Sequence, residues 1–525
     1  MSYSILKPAM PSFYPAARRW QPAVVAAGVF LLAGGLAVSC GMVLALGSKQ
    51  LTLLLFGLVG GSVLLFAPVF MTLSALIVLS YLIVGQLTYF AKLTQALWIP
   101  TLIAGILYLR VPIERGYLAV AERKSGIKRS MPPFQFALMA FFALAAASAA
   151  LNASPVMQVL VGAKMYLFIW SVVLLIGLGT ISEGRLELIW RATLALLVVQ
   201  LPFVFYQHFF VASNRSQTPG GGMSWDAVVG SFGGDPEGGG GSGALALFVV
   251  VTFVLIGALW RRQLIHRGLA IVLNAIGLAV IVLAEIKVVF ILLPIGLMLL
   301  AGRDALRYPV RALFGLLAMI IVLAGALFAY QELYWKDGNQ RQDGIEGAIE
   351  ETIQFNFGEY TLGPGRGEMG RFAALAHWWR ESARWDTAKI LVGHGPAATR
   401  ISQTIGLGEM ARKYPVRLDF YGLTVLLWEL GVLGAAAFVA ILLVGAANAA
   451  GLARRPTVPV FHRAVLEAAS VALVLIAICL LYNKDALDSP PVQLLMALLL
   501  GQVAYWHWKR VPSQGDHRHA PIVHA

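Results

Sequence analysis

The sequence contains few charged residues. They make up 13% of its 525 positions, about half of the share of about 25% that soluble globular proteins carry. Hydrophobic residues account for 59% of the chain, and the mean hydropathy is +0.76. Because apolar stretches use up more than half of the chain, no large soluble domain is left. The composition therefore indicates an integral membrane protein.

Cysteines and metal-binding motifs are also scarce. The two cysteines, Cys40 and Cys479, lie inside apolar segments, which excludes a disulfide framework and a cysteine metal site. The chain has no His-Glu-x-x-His motif, and its glycine-rich stretch at 233–243 lacks the Gly-Lys-Ser/Thr ending of a nucleotide-binding loop. We therefore expect no metal, no nucleotide and no other cofactor. The net charge of +14 comes from basic residues scattered between apolar stretches, so we expect no nucleic-acid partner either.

Fourteen apolar stretches approach the length of about 20 residues that a helix needs to cross a bilayer. We predict an all-α, polytopic membrane protein with about 14 transmembrane helices and one large extracytoplasmic loop. The predicted spans are 23–46, 51–67, 69–88, 95–110, 133–151, 158–179, 188–211, 244–260, 268–284, 287–301, 311–330, 419–447, 463–481 and 490–507.

Basic residues divide unequally between the two sets of short loops. If the spans alternate, 23 of the 40 Lys and Arg residues fall on one side and six on the other. The positive-inside rule then makes both termini cytoplasmic, with the first span retained as a signal anchor. Three regions follow: residues 1–330 with helices 1–11 and a glycine-rich outer loop at 212–243, a large periplasmic loop at 331–417, and residues 418–525 with helices 12–14 and a cytoplasmic tail.

The large loop is the only long polar stretch and is longer than ordinary connections. Residues 331–361 have a charge balance of −5, whereas residues 362–417 have a balance of +5. Within the basic half, 368–385 reads as an amphipathic helix. We predict one face formed by Phe372, Leu375, Trp379 and Ala383, and another by Arg371, Trp378, Glu381 and Trp385. A helix lying on the membrane surface would have the same pattern.

Several polar residues around this loop are candidates for a site. His394 lies in a glycine turn, Leu391 to Pro396, where it could act as a base or be a structural turn residue. Asp419 leads into a span that contains Glu429, and acids inside spans usually have a role or a partner. The outer-side cations would suit a lipid-linked diphosphate, because Lys and Arg stabilise charge on phosphate oxygens. These cations include Lys164, Arg215 and Lys287, the last one two residues from Glu285.

The order of these motifs resembles the O-antigen ligase and O-antigen polymerase family. The similarity covers roughly residues 155–435. The motifs that carry it are Gly230-Ser231-Phe232 to Asp235-Pro236, Gly370-Arg371, Trp378-Trp379, Leu391 to Pro396 and Glu429 to Gly434.

The resemblance implies a metal-independent membrane glycosyltransferase of the bacterial inner membrane, with its catalytic face in the periplasm. Members of the family transfer a glycan from an undecaprenyl diphosphate carrier to an acceptor sugar. Arg371, Lys287 and Arg215 would hold the diphosphate, and Asp419 or His394 would be the base. Further substrate-binding candidates are Lys164, Arg366, Arg380 and Glu285.

Two positions depart from the family pattern. Phe420 stands where many ligases carry a histidine, and Lys287 stands where an arginine is usual, which keeps the charge but loses the forked geometry. We therefore favour a polymerase of lipid-linked oligosaccharide repeat units that builds an exopolysaccharide or O-antigen, with a chain-length regulator as a further partner. A ligase that attaches glycan to lipid or protein stays open. So does a flippase or transporter, although we find no repeat of the kind transporters show.

Overall fold

The computed structural model describes residues 63–125, 130–212, 227–234, 240–284, 286, 288–310, 357–360, 367–402 and 405–509, with single positions between 34 and 61 and between 313 and 325. The protein is mostly helical, with 78% helix and 2% strand, so the all-α class is confirmed. The strands are two-residue pairs: β1 (Glu359–Tyr360) with β2 (Glu368–Met369), and β3 (Ile401–Ser402) with β4 (Gly406–Leu407).

The helices follow the apolar pattern of the chain. In chain order they are α1 (Val69–Val78), α2 (Val84–Ala91), α3 (Trp98–Leu107), α4 (Arg110–Ser125), α5 (Pro133–Leu151), α6 (Val156–Tyr166), α7 (Trp170–Gly177), α8 (Glu183–Tyr206), α9 (Ser242–Arg261), α10 (Arg267–Leu283), α11 (Val289–Arg307), α12 (Arg371–Ser382), α13 (Thr387–Val392), α14 (Glu409–Lys413), α15 (Gly422–Ala453), α16 (Val460–Cys479), α17 (Asp485–Asp488) and α18 (Pro490–Trp508). Short π segments at Leu79–Ile83 and Gln207–Ala212 and a 3₁₀ turn at Thr94–Leu97 extend three of them.

Seven helices among the described residues are long and apolar enough to cross a membrane, and an eighth candidate is the pair α6 and α7, which is bent by 47°. The seven are Val69–Ala91, Thr94–Val120, Pro133–Leu151, Glu183–Ala212, Ser242–Arg261, Gly422–Ala453 and Val460–Cys479. The shorter apolar helices Arg267–Leu283 and Val289–Gly302 coincide with two further predicted spans. The predicted spans 23–46, 51–67 and 311–330 lie wholly or largely outside the described residues.

Helix α18 lies in the interior of the bundle. All of its residues except His507 are buried, and it packs against α7 and α16. Its Gln493 Nε2 donates to the carbonyl oxygen of Met165 at 3.0 Å, and its Gln502 Oε1 accepts from Trp190 Nε1 at 3.2 Å. These bonds give the Gln493 amide nitrogen and the Trp190 indole nitrogen partners inside an apolar core, where an unpaired donor would be costly.

Contacts between loops join segments that the sequence assigns to the same side. At one end, Asn152 Nδ2 donates to the Gly393 carbonyl oxygen at 3.1 Å, and the Gly422 N–H donates to the Asn483 carbonyl oxygen at 3.0 Å. At the opposite end, Lys509 pairs with Glu183 at 2.6 Å. We call the first the loop end and the second the basic end.

Residues 227–233 of the glycine-rich loop are buried within the bundle. Gln207 Oε1 accepts hydrogen bonds from the Val229 and Gly230 N–H groups at 2.9 and 2.7 Å. Gln200 Oε1 accepts one from the Ser231 N–H at 2.9 Å. A Cβ at Gly85 of α2 would collide with the backbone of this segment. The two glutamines of the Glu183–Ala212 span thus supply the partners that an irregular backbone needs inside a membrane bundle.

Helix α12 buries the predicted face that carries Trp378. Its buried residues are Ala374, Trp378 and Ser382, whereas Phe372 and Trp379 are 50% and 72% exposed. The predicted grouping of Phe372 with Trp379 on one face is correct. The second predicted face, which carries Trp378, packs inward, and the Trp378 ring lies 6.3 Å from that of Trp385.

Candidate functional site

The site is organised by a backbone crossing between the loop that carries His394 and the broken span α15. At Gly431 the backbone of α15 leaves helical geometry, with φ 67° and ψ −172°. Gly393 has φ 79° and ψ −167°, and a Cβ on it would lie 2.5 Å from the Glu429 carbonyl oxygen. Both glycines therefore adopt a conformation that other residues avoid, and the two chains touch where a side chain has no room.

Glu429 lies just before this break, and its side chain holds the loop residues Ala397 and Thr399 in place. Its Oε2 accepts from Tyr166 Oη at 2.5 Å and from the Ala397 N–H at 2.6 Å. Its Oε1 accepts from the Thr399 hydroxyl at 2.5 Å and from the Thr399 N–H at 3.2 Å. The side chain is fully buried. Four hydrogen bonds explain how a carboxylate is tolerated there. Because they hold Thr399, they also fix the backbone position of the next residue, Arg400.

A cluster of four cations and two carboxylates follows directly, and we call it the charged cluster. Arg400 Nη1 lies 3.0 Å from Asp488 Oδ2 and 4.0 Å from Asp419 Oδ2. Lys484 Nζ lies 3.1 Å from Asp419 Oδ2 and 3.8 Å from Asp488 Oδ2. The members are Lys164, Arg400, Arg417, Asp419, Lys484 and Asp488.

Two further ion pairs complete the charged cluster. Lys164 Nζ lies 3.8 Å from Asp488 Oδ1, and Arg417 Nε lies 3.6 Å from Asp419 Oδ1. Four cations thus share two carboxylates. Because Lys164, Arg400 and Asp419 are buried, water screens this excess of positive charge less than it would at a surface.

The cations keep both carboxylates ionised. Burial raises the pKa of Asp488, but Arg400, Lys164 and Lys484 outweigh it and hold that pKa well below its ordinary value. Burial also opposes ionisation of Asp419, and Lys484, Arg400 and Arg417 together lower its pKa. Both carboxylates are therefore held as anions at neutral pH, which makes them good anchors for cations and weak proton acceptors.

Arg400 retains donors that the described residues do not use. Its side chain is 6% exposed, and its Nε and Nη2 atoms are buried without a hydrogen-bond partner in the described part of the chain. A buried guanidinium with unused N–H groups is costly unless something accepts from them. These two atoms, beside the Nη1 that Asp488 occupies, form the fork that binds carboxylate or phosphate oxygens.

Asp485 lies beside the charged cluster in sequence and forms no ion pair within 4.0 Å among the described residues, although the charge of Lys484 acts on it and partly opposes the rise of its pKa. Burial raises the pKa of Asp485 to about 7, and the neighbouring anion Asp488 adds to the shift. Its Oδ2 accepts from Asn483 Nδ2 at 2.6 Å and lies against Gly243, at the start of α9. Asp485 therefore stands between the charged cluster and the end of the glycine-rich loop, with a pKa suited to proton exchange.

Arg371 and Arg417 each stack on an aromatic ring. The Arg371 guanidinium lies 3.8 Å from the Tyr482 ring centroid, and its Nε donates to the Tyr482 carbonyl oxygen at 3.3 Å. Tyr482 is two residues from Lys484. The Arg417 guanidinium lies 4.2 Å from the Phe420 ring centroid. Phe420 thus supports an arginine by a cation–π contact.

His394 belongs to an aromatic cluster. Its ring lies 4.5 Å from that of Trp385 and 6.1 Å from that of Trp428. Burial, with the charges of Lys389 and Lys413, lowers the pKa of His394 to about 4. Its Nε2 is buried without a hydrogen-bond partner in the described residues. The imidazole is therefore neutral at physiological pH, in apolar surroundings.

The sequence-predicted site residues thus fall into three groups. Lys164 and Asp419 join in the charged cluster, and Arg371 stacks on Tyr482, two residues from Lys484. His394 and Arg380 lie elsewhere, the first among aromatic rings and the second exposed on α12. The remaining predicted residues lie outside the described residues, namely Arg215, Glu285, Lys287 and Arg366.

Sequence reasoning did not single out Arg400, Lys484, Asp485 or Asp488 as site residues. A local signal existed for Lys484 and Asp488, which are four residues apart between two predicted spans. Arg400 had none, since it was one of nine basic residues in its half of the large loop. Among the described residues, no group of three His, Cys, Asp or Glu side chains could hold a metal ion.

Comparison with known proteins leaves this geometry without a family. No family model matches the chain, and no curated protein matches it. The likeness to the O-antigen ligase and polymerase family therefore stays a resemblance of motifs.

Proposed function

We propose that the protein is a membrane glycosyltransferase that polymerises oligosaccharide repeat units carried on undecaprenyl diphosphate, and so builds an exopolysaccharide or O-antigen. The observation that carries the proposal is the charged cluster, in which four cations share two carboxylates at one end of a helical bundle. A diphosphate adds the negative charge that the cluster lacks, and the free donors of Arg400 match its oxygens.

The reaction needs positioning and charge stabilisation more than any cofactor. The acceptor hydroxyl oxygen attacks the anomeric carbon of the donor glycan, and the bond from that carbon to the diphosphate oxygen breaks. The leaving undecaprenyl diphosphate takes the electron pair, and Arg400, Lys164 and Lys484 stabilise its charge. Arg371, Lys287, Arg215, Arg366, Arg380 and Glu285 stay predicted contacts of the glycan or the carrier.

The acceptor hydroxyl also loses a proton, and three side chains compete for this role. Asp419 and His394 stay the bases predicted from the sequence. The geometry favours Asp485, because a base works best when its pKa lies near the operating pH. Cations lower the pKa of Asp419, and burial lowers that of His394 to about 4, whereas the pKa of Asp485 is about 7.

In the proposed topology, about 14 helices cross the bacterial inner membrane, both termini are cytoplasmic and the loop end is periplasmic. A chain-length regulator would act as a partner from the periplasmic side. A ligase would use the same donor and the same cluster but would transfer the glycan once, to a lipid or protein acceptor. The cation–π contact between Arg417 and Phe420 supports the polymerase. By the motif resemblance, Phe420 stands where many ligases have a histidine, and here its ring packs against an arginine and cannot accept a proton.

The test is polymer synthesis by purified protein in liposomes that contain the lipid-linked repeat unit, with chelator and without ATP or an ion gradient. Wild-type protein should lengthen the lipid-linked units. Arg400→Lys keeps the charge but loses the fork, and Arg400→Gln loses both. We expect about tenfold weaker use of the donor for the first and about 100-fold for the second, since hydrogen bonds to charged groups contribute about 1.5–3 kcal/mol.

Arg384→Gln is the matched control. Arg384 belongs to the same loop, pairs with Glu381 at 2.9 Å and has a side chain that is 76% exposed, so its loss should leave polymer unchanged. Size-exclusion profiles establish that each variant is folded. Normal polymer from folded Arg400→Lys and folded Lys484→Gln would exclude the charged cluster as the donor site. Single transfer to a lipid or protein acceptor would identify a ligase, and translocation without lengthening would identify a transporter.

A further inference from the structure

A second set of cations surrounds a cavity at the basic end, at the other end of α15 from the charged cluster. The cavity has a volume of about 230 Å³ and lies between α9, α11, α15 and α16. We call it the arginine pocket. Its polar lining is Arg261, Arg454, Glu467 and Ser470, and its apolar lining includes Leu299, Leu300 and Val471.

Two arginines at the arginine pocket share one carboxylate. Arg261 Nη2 lies 2.9 Å from Glu467 Oε1, and Arg262 Nη2 lies 2.7 Å from the same oxygen. Arg454 lines the cavity, and no described residue pairs with its guanidinium. The described lining carries two arginines, Arg261 and Arg454, against the single carboxylate of Glu467, so it attracts an anion.

The second feature of the pocket is its apolar wall. Leu299, on α11, is 44% exposed at the end of an apolar helix that coincides with a predicted span. A soluble phosphate gains nothing from such a wall, whereas a phospholipid places its glycerol and first acyl carbons there. Basic pockets between transmembrane helices at a membrane surface are suited to anionic lipid head groups.

The size of the cavity fits the same ligand. A water molecule occupies about 30 Å³ in the liquid, so 230 Å³ accommodates one phosphate group together with a few waters. The larger cavity at this end, of about 320 Å³, is lined by Arg191 and Glu187. These two side chains pair with each other at 2.5 Å, so that cavity has no comparable excess of positive charge.

We propose that the arginine pocket binds the phosphate of an anionic phospholipid. The guanidinium of Arg454 contacts the phosphate, the Arg261 side that faces the cavity contributes a second positive charge, and the acyl chains lie along the Leu299 face of α11. This site is separate from glycan transfer. The bound phospholipid, taken from the surrounding membrane, holds α11 against α15 and α16.

The experiment compares lipid binding by the full-length protein and two neighbouring variants. Native mass spectrometry of detergent-purified protein is titrated with phosphatidylglycerol, and phosphatidylcholine serves as the zwitterionic reference. Arg454→Gln should weaken phosphatidylglycerol binding about fivefold, the amount expected for one arginine near an anionic head group. Arg455→Gln is the matched control, since Arg455 is the next residue, is also exposed and does not line the cavity.

Inorganic phosphate separates the two sources of the same chemistry. If the site is a lipid site, millimolar phosphate should not displace phosphatidylglycerol, and the melting temperature should rise with the lipid and not with phosphate. Equal losses in Arg454→Gln and Arg455→Gln, or equal binding of phosphatidylglycerol and phosphatidylcholine, would overturn the proposal. Stabilisation by inorganic phosphate alone would also overturn it, because the apolar wall would then play no part.

Discussion

Gly393 and Gly431 pack backbone against backbone, although they are separated by a loop and a helix start. A Cβ on Gly393 would lie 2.5 Å from the Glu429 carbonyl oxygen, and a Cβ on Gly431 would collide with the Leu391 carbonyl oxygen. The crossing connects the loop to the span at the point where Glu429 holds Ala397 and Thr399. It therefore determines where Arg400 enters the charged cluster.

Gly431→Ala should reduce folded protein sharply. The new methyl group meets backbone that cannot move away, and the residue keeps a positive φ of 67°, so we expect a loss of more than about 3 kcal/mol in stability. Gly406→Ala is the matched control, since Gly406 has φ 66° and no atom within 4 Å of its added Cβ. It should lose only about 1–2 kcal/mol. Melting temperatures in detergent measure both, and equal losses would mean that the crossing does not matter.

We expect Glu429 to be a structural residue, and two variants that remove its hydrogen bonds to different extents test this. Tyr166→Phe removes one of its four hydrogen bonds and should cost about 1.5–3 kcal/mol, the range for bonds to charged groups. Glu429→Gln should cost at least as much, because an amide nitrogen cannot accept from the N–H of Ala397 or Thr399. Thermal unfolding measures both changes. Folded variants should keep their rate per molecule, and a large fall in rate without loss of stability would instead assign Glu429 to catalysis.

His394 should make the protein less stable in acid. Its pKa is lowered to about 4 in the folded protein and is about 6.5 in the unfolded chain. The unfolded state therefore binds more protons between these values, so the contribution of His394 is full above about pH 6.5 and is lost as the pH falls toward 4. His394→Phe keeps an aromatic ring beside Trp385 and cannot titrate. The melting temperature of the wild type should fall more than that of His394→Phe between pH 7 and pH 5, and parallel falls would contradict the prediction.

Much of this fold could be predicted from the sequence, because apolar length and basic loops are local properties. They give the helical class, several spans and the grouping of loops at two ends. The face that α12 buries could not be predicted in this way. Helical spacing tells which residues share a face, but both faces carry a tryptophan. Trp378 rather than Trp379 packs inward because Trp385 and Trp428 already form an aromatic cluster beneath it.

The charged cluster was only partly predictable for a similar reason. Lys164 and Asp419 could be identified because each is a charge close to the end of an apolar span. Arg400 and Asp488 are 88 residues apart, and no local spacing relates them. Their pairing depends on the Gly393–Gly431 crossing and on α18, which brings α17 to the loop end. Long-range ion pairs of this kind follow from tertiary packing and cannot be derived from local sequence patterns.

The pH dependence of polymer synthesis should distinguish Asp485 from Asp419. The pKa of Asp485 is raised to about 7, so a reaction that uses it as the base should accelerate as the pH rises through 7 and then level off. Asp485→Asn should lower the rate by about 10²–10⁴-fold and flatten that rise. Asp419→Asn removes the carboxylate that Arg417 pairs with and leaves Lys484 only the longer pair with Asp488, so it should act on donor use and stability, with the rise through pH 7 retained.

Stability provides an independent readout for the same two variants. The raised pKa of Asp485 means that the folded state binds more protons than the unfolded chain between about pH 4 and pH 7, so its contribution is lost as the pH rises to 7. Asp485→Asn should therefore be at least as stable as the wild type at pH 8, although it is inactive. The lowered pKa of Asp419 has the opposite consequence, because its contribution is present at neutral pH and disappears only in acid. A stable, active Asp485→Asn enzyme with an unchanged pH profile would exclude Asp485 and return the role of base to Asp419 or His394.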